Sequence, residues 1–416
     1  MDATDSDLPL DTVSRPEAAQ GWIGRVVSGR VFVSLRNRDF RLRWFGMIFS
    51  FIGFWMQNVA QGWWVLEKTN SPFLLGIVSA SGMFPMLVFS LVGGALADSI
   101  DRRRLLIITR SIALGLLLIL ATLIALDWAT VWHVLVISLL TGIVWSFDIP
   151  SRQSLVPALV GQEQLMNAMA LNSAVMNGTQ IIGPAIAGNL VGLIGTAGCF
   201  YLASLLYIVI IVALVMMRVP KAVRPAKPGS MLRNIGEGLK LVRGDQVIGV
   251  LILSAGVTAV FGMPYAVFMP VFARDVLSAG ARELGFLLAA TGLGALAGAL
   301  ALACLGNYRY KGLLLLISGA TFGLMLFLFS FSRWLPLSLV LLTVVGVAGA
   351  SSMTVITTLV LGRVAPEFQG RMMSVFMLTW GLQPFGSMML GGLANLVGAP
   401  PAVALGASVC VLYIVS

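Results

Sequence analysis

Charged side chains are scarce in this sequence, and histidine and cysteine are nearly absent. Of the 416 residues, 11% are charged, one is histidine and three are cysteine, whereas a soluble domain carries about 25% charged residues. So little charge cannot cover a water-soluble globule, which excludes a soluble fold. The three cysteines show neither a disulfide framework nor metal-ligand spacing, so we expect no metal and no cofactor.

Long stretches without Asp, Glu, Lys or Arg replace the missing charge. A membrane-crossing helix needs about 20 apolar residues, and the two longest charge-free stretches, 164–217 and 372–416, each have room for two. One more helix is predicted at 105–126, where Arg110 lies near one end and is expected to snorkel. With seven shorter stretches, these predict an all-α membrane protein with twelve transmembrane helices. The shorter stretches are 44–66, 69–97, 128–147, 246–273, 284–308, 312–332 and 334–362.

The charges that are present are mostly basic and unevenly placed. A net charge of +10 in a soluble protein could indicate a nucleic-acid partner. With a cytoplasmic N-terminus, however, 23 of the 27 basic residues fall in segments on the cytoplasmic side, as the positive-inside rule requires. We therefore expect both termini in the cytoplasm, the lipid bilayer as the surrounding partner, and no nucleic acid.

Polar segments divide the chain into four parts. Residues 1–43 are expected to be a cytoplasmic segment, disordered at first and then interfacial because arginines and aromatic residues alternate; it lacks the apolar stretch of a signal peptide. Residues 218–245 are a cytoplasmic linker, beginning with three prolines and continuing as an amphipathic helix. The linker separates two predicted six-helix bundles, 44–217 and 246–416.

The two predicted bundles share short sequence matches. Asn189-Leu190-Val191-Gly192 recurs 206 residues later as Asn395-Leu396-Val397-Gly398, close to half the chain length. Such parallel repeats are typical of one large class of secondary transporters. The last predicted span, Pro401–Ser416, is short for a crossing, so a further cytoplasmic tail is expected after it.

The loop between the second and third predicted helices reads Gly94-Ala95-Leu96-Ala97-Asp98-Ser99-Ile100-Asp101-Arg102-Arg103-Arg104. A glycine, an acid four residues later and then a basic cluster resemble the signature loop of the major facilitator superfamily. The sequence departs from that pattern at Ser99 and Asp101. The resemblance implies a gate at Asp98 on the cytoplasmic side, with arginines able to pair with acids.

Further residues narrow the resemblance to the enterobactin-exporter branch of this superfamily, over residues 37–415. They include Phe147-Asp148-Ile149-Pro150-Ser151-Arg152-Gln153, Gly183-Pro184, Gly370-Arg371 and Gln383-Pro384. The resemblance implies a bacterial inner-membrane exporter, commonly driven by proton antiport, whose substrates range from siderophores to hydrophobic drugs.

A cytoplasmic gate and a proton carrier are the charged sites that this resemblance predicts. The predicted gate residues are Gly94, Asp98, Arg102, Arg103, Asp148, Arg152 and Arg371. Intramembrane acids usually mark proton relays, and Asp148, at the inner end of the fourth span, is the best candidate here. The alternative is that Asp148 pairs with Arg102 or Arg152 as part of the gate.

Polar and aromatic residues at spacings of three and four predict the substrate cavity, because such residues share a helix face. The predicted cavity residues are Gln57, Gln61, Trp64, Trp145, Asn172, Tyr265, Thr354, Trp380 and Gln383. None is basic, so the expected substrate is a small amphipathic molecule that is neutral, zwitterionic or weakly cationic. For a single Ser or Thr, helix packing is an equal alternative.

Three other functions stay open from the residues alone. A lysophospholipid or lipid flippase fits the 20 methionines and the uncharged cavity. A membrane scaffold that transports nothing is disfavoured by the intact gate motif. An intramembrane enzyme needs a nucleophile–base pair or a metal cluster, and one marginal histidine, His133, does not supply it. We expect a monomeric transporter rather than an enzyme.

Overall fold

The computed structural model describes residues 30–99, 101–218, 231–306 and 308–415. Within these ranges the side chains of residues 30–31, 90–99, 162 and 231–235 are not described. The predicted disorder of residues 1–20 and the proline-rich start of the linker therefore lie outside the described residues.

Nearly all of the described chain is helical. After a short 3-10 helix at Arg30–Arg36, the helices are α1 Arg38–Thr69, α2 Pro72–Ser99, α3 Arg102–Ala125, α4 Val131–Leu159, α5 Gln162–Met216, α6 Met231–Gly244, α7 Gln246–Val276, α8 Ala281–Leu305, α9 Lys311–Phe331, α10 Leu335–Arg363, α11 Pro366–Trp380, α12 Gln383–Val397 and α13 Ala399–Val415.

Polar side chains fix where several of these helices begin and end. Asn37 accepts hydrogen bonds from the backbone N–H groups of Asp39 and Phe40 and so caps α1, which begins at Arg38 rather than at the predicted Trp44. Asp101 caps α3 in the same way through the N–H of Arg104. Each such cap stabilises a helix start by about 1 kcal/mol.

One helix is broken by a glycine. α5 has 55 residues and would extend about 80 Å if it were straight, far beyond the roughly 30 Å of a bilayer core. Gly195 interrupts it with a φ of +72°, a conformation that costs glycine little. α5 therefore consists of two helices that reverse direction at Gly195.

In the described part of the chain, eight helices are long and apolar enough to cross a membrane: α2, α3, α4, α5, α7, α8, α9 and α10. α1 is long enough but carries amides such as Gln57 and Gln61, which lower its mean hydropathy. α11 and α12 have 15 residues each and are separated by a turn at Gly381 and Leu382. The protein is therefore a multi-pass helical membrane protein.

Helices from the first half of the chain pack mainly on one another, and so do helices from the second half. α1 lies along α5 and α2 along α4, while α10 packs on α8 and α9, and α9 on α13. The predicted linker helix forms as α6 and lies on α11, where Glu237 pairs with Arg371 at 2.7 Å. The halves meet chiefly through α5 with α8 and α2 with α12.

The two halves contact each other between the middle of the helices and one end of the molecule. We call this end the Asp127 end and the opposite end the Asp101 end, after a residue that lies at each. At the Asp127 end, Arg274 donates to the carbonyl of Leu66 at 2.9 Å and the side chains of Ser71 and Asn395 lie 3.3 Å apart. At this end too, Lys68 bonds to Asp127 at 2.7 Å, which lowers the pKa of the Asp127 carboxyl.

Glycines allow the closest approach between the halves. A Cβ atom on Gly188 would lie 2.4 Å from the carbonyl oxygen of Ala281, and one on Gly285 would lie 2.5 Å from that of Pro184. Likewise, a Cβ on Gly76 would lie 2.5 Å from the carbonyl oxygen of Ser387. The two halves are thus closed on each other at the Asp127 end by small-residue packing.

Candidate functional site

A buried ion pair lies inside the first half of the chain. Asp148 of α4 and Arg110 of α3 are 2% and 5% exposed, and an Nη2–H of Arg110 donates to Oδ2 of Asp148 at 2.5 Å. Thr109 donates to the other carboxylate oxygen at 3.2 Å. Asp148 therefore has an arginine and a hydroxyl as partners, which is how buried carboxylates are normally stabilised.

The prediction that Arg110 snorkels at the membrane edge is wrong. Arg110 shares one face of α3 with the buried residues Leu106, Ala113 and Leu117, which repeat at helical spacing. Because that face packs toward α4 and α5, its guanidinium points into the bundle. Of the suggested alternative partners of Asp148, neither Arg102 nor Arg152 forms a direct ion pair with it in this conformation, although Asp148 acts electrostatically on Arg152.

Aromatic rings surround the guanidinium of Arg110. Its central carbon lies 5.3 Å from the ring centre of Trp145 and 5.6 Å from that of Tyr207, within cation–π range. Its other nitrogen, Nη1, donates to the hydroxyl of Ser50 at 2.9 Å. Arg110 thereby ties α1, α3, α4 and α5 together at one point.

Arg43 is a second buried arginine, and its burial is not predicted by the sequence. The sequence places it in the N-terminal segment, but it lies within α1 and is 2% exposed. Its guanidinium donates to the side-chain oxygen of Asn172 at 3.5 Å and to the backbone carbonyl of Arg152 at 3.2 Å. Asn172, predicted to line the cavity, is thus an acceptor for Arg43.

Arg152 is the third arginine of this cluster. It lies on the same face of α4 as Trp145 and Asp148, and its guanidinium carbon is 5.7 Å from the ring centre of Trp145 and 4.8 Å from that of Phe51. We call Arg43, Arg110, Asp148 and Arg152 the arginine cluster. None of the predicted cavity residues is basic, but the arginine cluster brings three guanidinium groups together inside the first half of the chain.

The other predicted gate arginines make no described contact with the opposite half. Arg102 donates to the carbonyl of Ser154 at 2.9 Å, and Arg103 donates to the carbonyl of Leu214 at 2.6 Å, so both link α3 to neighbouring helices. Arg371 pairs with Glu237 of α6. The side chains of the predicted gate residues Gly94 and Asp98 lie outside the described residues.

The predicted cavity residues differ in their surroundings. Trp145 belongs to the arginine cluster and its ring lies 4.6 Å from that of Phe54. Gln57 and Trp64 are buried, Gln61 and Gln383 are half-buried, and Thr354 and Trp380 are exposed. Tyr265 is buried beside Phe322, with ring centres 6.4 Å apart.

α7, which carries Tyr265, is irregular. It passes from α-helix to a π-turn at Thr258–Gly262, a 3-10 segment at Met263–Phe268 and a second π-turn at Phe272–Val276. Pro264 and Pro270 remove backbone donors in this region, and π-turns inside helices are frequent at functional sites.

The chemistry available in the described residues is that of binding rather than of metal catalysis. No group of three or more His, Cys, Asp or Glu side chains there could hold a metal ion. His133 accepts a hydrogen bond from the backbone N–H of Thr130 at 3.1 Å, at the start of α4, so it has a structural role at the helix end.

The fold is similar to those of two solved membrane transporters. The structure superposes on that of the nucleoside transporter NupG with a TM-score of 0.72, at 13% identity, over 91% of this chain and 97% of that one. It also superposes on a bacterial homologue of the human lysosomal transporter Spinster, inward-facing and unoccupied, with a TM-score of 0.67, at 14% identity, over 91% and 94% of the two chains.

The sequence assigns the family. Residues 30–416 match the family described as transmembrane secretion effector, and the chain belongs to it. The superfamily prediction is thereby confirmed, and members of this superfamily are transporters rather than enzymes.

Three similar proteins cover most of the chain. The multidrug efflux pump Tap of Mycolicibacterium fortuitum is 28% identical over 82% of this chain and 85% of its own. The staphyloferrin A transporter of Staphylococcus aureus is 25% identical over 84% and 87%. The macrolide efflux protein A of Streptococcus pyogenes is 25% identical over 85% and 89%.

Proposed function

We propose that this protein is a secondary exporter of amphipathic small molecules, siderophore-like or drug-like, in a bacterial inner membrane. The observation that carries the proposal is the family match over residues 30–416, together with relatives named for drug efflux and for siderophore transport. No more than one copy of the chain is needed to form the two facing halves, so the proposed unit is a monomer.

The proposed chain crosses the membrane twelve times. α5 is long enough to cross twice because Gly195 reverses it, and α11 and α12 together supply one crossing around the turn at Gly381. With α1 and α13, this gives six crossings in each of the bundles 44–217 and 246–416, on either side of the linker 218–245. The basic residues then place both termini and the Asp101 end in the cytoplasm.

Alternating access would move the substrate between the halves. Closure at the Asp127 end, through Gly188 and Gly285, matches an inward-facing state. The predicted cytoplasmic gate would form only in the opposite state, when Asp98 and Arg102 approach the start of α11 near Arg371. In the present state Arg102 bonds within its own half and Arg371 pairs with Glu237 of the linker helix α6.

The gate is tested with Asp98→Asn. Transport should fall without much loss of folded protein, because the interactions that this substitution removes form only in the outward-facing state. Asp39→Asn is the control, since Asp39 is not a predicted gate residue and accepts a hydrogen bond from the backbone N–H of Arg218 at the start of the linker. Full transport by Asp98→Asn would remove Asp98 from the gate.

Proton antiport through Asp148 is the proposed driving mechanism. Asp148 is the one carboxylate bonded within the arginine cluster, and its protonation would remove the charge to which Arg110 donates. Protonation would thus weaken the interaction between Arg110 of α3 and Asp148 of α4, and the packing of these two helices could change.

A lipid or lysophospholipid flippase is the second candidate. A groove of about 400 Å³ between α7, α12 and α13 is lined by apolar side chains, among them Met388, Met389 and Leu405. Methionine adapts to irregular apolar shapes, which suits an acyl chain.

Transport by purified protein in proteoliposomes tests the proposal and separates the two candidates. We would measure export of a macrolide, a carboxylate siderophore and a fluorescent lysophospholipid in parallel. Export of either of the first two supports the exporter. Movement of the lysophospholipid alone supports the flippase, and movement of none, by protein that remains folded, contradicts both.

A further inference from the structure

The arginine cluster holds an excess of positive charge. It contains three guanidinium groups, those of Arg43, Arg110 and Arg152, and a single carboxylate, that of Asp148. An uncompensated charge in a low-dielectric interior costs several kcal/mol. Arg110 is paired with Asp148, and the guanidinium of Arg43 donates to neutral oxygen atoms of Asn172 and Arg152. The same carboxylate also acts electrostatically on Arg152, so three positive charges share one negative charge and the cluster stays positively charged.

Arg152 has aromatic neighbours but no acceptor. Its described contacts are with the rings of Phe51 and Trp145, and no described residue accepts a hydrogen bond from its side chain or forms an ion pair with it. A ring against the face of a guanidinium leaves the N–H groups free, because they point outward in the guanidinium plane.

The position of Arg152 makes it reachable. The residue is half-buried, unlike Arg43, Arg110 and Asp148, which are buried. It lies two turns from the end of α4 at Leu159, on the side of the molecule opposite the closed Asp127 end. Part of its side chain is therefore open to a molecule that approaches from outside the arginine cluster.

Two hydroxyl groups of the same region also lack partners among the described residues. The hydroxyls of Tyr207 and Thr141 are buried and form no hydrogen bond with any described residue, although buried polar groups are nearly always satisfied. Tyr207 lies against Arg110, and Thr141 is one turn from Trp145 on the same face of α4. Both Arg110 and Arg152 approach the ring of Trp145, so the positive charge and the aromatic surface converge there.

We propose that Arg152 is a binding residue for an anionic oxygen group, a carboxylate or phosphate, of the transported molecule. Trp145 and Phe51 contact the adjoining apolar part of that molecule. The inference rests on the proposed exporter function and gives its substrate class: amphipathic anions. It replaces the expectation of neutral or weakly cationic substrates, which depended on the absence of buried arginines.

Binding by the full-length protein to a matched pair of probes tests the inference. Naphthylacetate carries a carboxylate, and naphthylacetamide has the same ring and shape without the charge. We expect the wild-type protein to bind the carboxylate at least about tenfold more tightly than the amide, as a charge-assisted hydrogen bond predicts. Equal affinity for the two probes would overturn the inference.

Three variants assign the effect to Arg152. Arg152→Gln should weaken carboxylate binding about tenfold and leave amide binding unchanged, whereas Arg152→Lys should keep most of it. Arg282→Gln is the matched control, because Arg282 also lies over an aromatic ring, that of Phe286 at 5.5 Å, but is exposed at the Asp127 end. If Arg152→Gln binds the carboxylate like the wild-type protein, Arg152 is not the binding residue.

A lipid headgroup supplies the same oxygen chemistry, and a second arm separates it from a transported anion. Binding is repeated in nanodiscs of phosphatidylcholine and of phosphatidylglycerol. If the transported anion is the occupant, the preference for the carboxylate probe persists in both. The inference fails if phosphatidylglycerol displaces the probe and the Arg152→Gln variant binds this lipid less tightly than the wild-type protein does. Arg152 would then bind a lipid headgroup.

Export of the neutral amide probe is measured in the same preparations. Export of the amide without any preference for the carboxylate overturns the inference and leaves the exporter intact. A preference in binding without export of any compound supports the anion site and contradicts the proposed function.

Discussion

Breaking the Arg110–Asp148 pair from one side should destabilise the protein more than removing both charges together. The single variants Asp148→Asn and Arg110→Gln each leave a charge buried without its partner, in a place where the two side chains are 2% and 5% exposed. The double variant leaves an amide pair of similar size, which can still form a hydrogen bond.

The expected magnitude follows from that burial. Removing one partner of a buried ion pair costs about 3–5 kcal/mol. We expect each single variant to lose stability in that range and the double variant to lose less than the sum of the two. The coupling energy should be about 1–3 kcal/mol, as for residues in direct contact.

These four proteins, the wild type, the two single variants and the double variant, form a double-mutant cycle. Unfolding of each purified protein in mixed micelles, followed by tryptophan fluorescence, gives its free energy of unfolding. The exposed pair Lys68–Asp127 at the opposite end is the control, and Lys68→Gln with Asp127→Asn should show no resolvable coupling because solvent screens it. If the stability losses of the Arg110 and Asp148 single variants add up to the loss of the double variant within about 0.5 kcal/mol, the two residues are not paired.

Three further predictions concern transport and topology. Asp148→Asn should abolish uptake driven by an imposed pH gradient in inverted vesicles and leave substrate binding largely intact; uptake that still follows the gradient would exclude Asp148 as the proton carrier. Gly285→Leu should disturb closure at the Asp127 end, since overpacking costs about 1–3 kcal/mol, and should lower transport in proteoliposomes, whereas Gly312→Leu, where a Cβ meets open space, should not. A cysteine at Ser278 should react with an impermeant thiol reagent added outside intact cells and one at Ala222 should not; labelling at Ala222 would reverse the proposed orientation.

The sequence identified Asp148 but not its partner. Asp148 stood out because acids are nearly absent from the apolar stretches. Arg110 lies in the predicted span 105–126, yet its place near one end of that span favoured snorkelling. In a soluble helix, periodicity would have shown which face is buried. A membrane helix is apolar on all faces, so the sequence does not reveal that Arg110 lies on the packed side of α3.

Arg43 and Asn172 show the same limit. The sequence placed Arg43 in a polar segment before the first span and Asn172 on a cavity-lining face. The helix start at Asn37 adds Arg43 to α1, and the packing of α1 on α5 brings these two residues together although they are 129 positions apart. The helix start could have been predicted, because Asn37 followed by Asp39 is typical of an N-cap.

The sequence by itself determined the class of the protein: a multi-pass helical transporter with a basic linker near its middle. Hydropathy is a local quantity that sums along the chain, and the bilayer converts it directly into crossings. Only the tertiary structure decided that Arg110, rather than Arg102 or Arg152, pairs with Asp148, that Arg43 is buried, and that the halves close at the Asp127 end. Those outcomes depend on how each helix is rotated about its axis, and in lipid that rotation is set by close packing and polar contacts between helices.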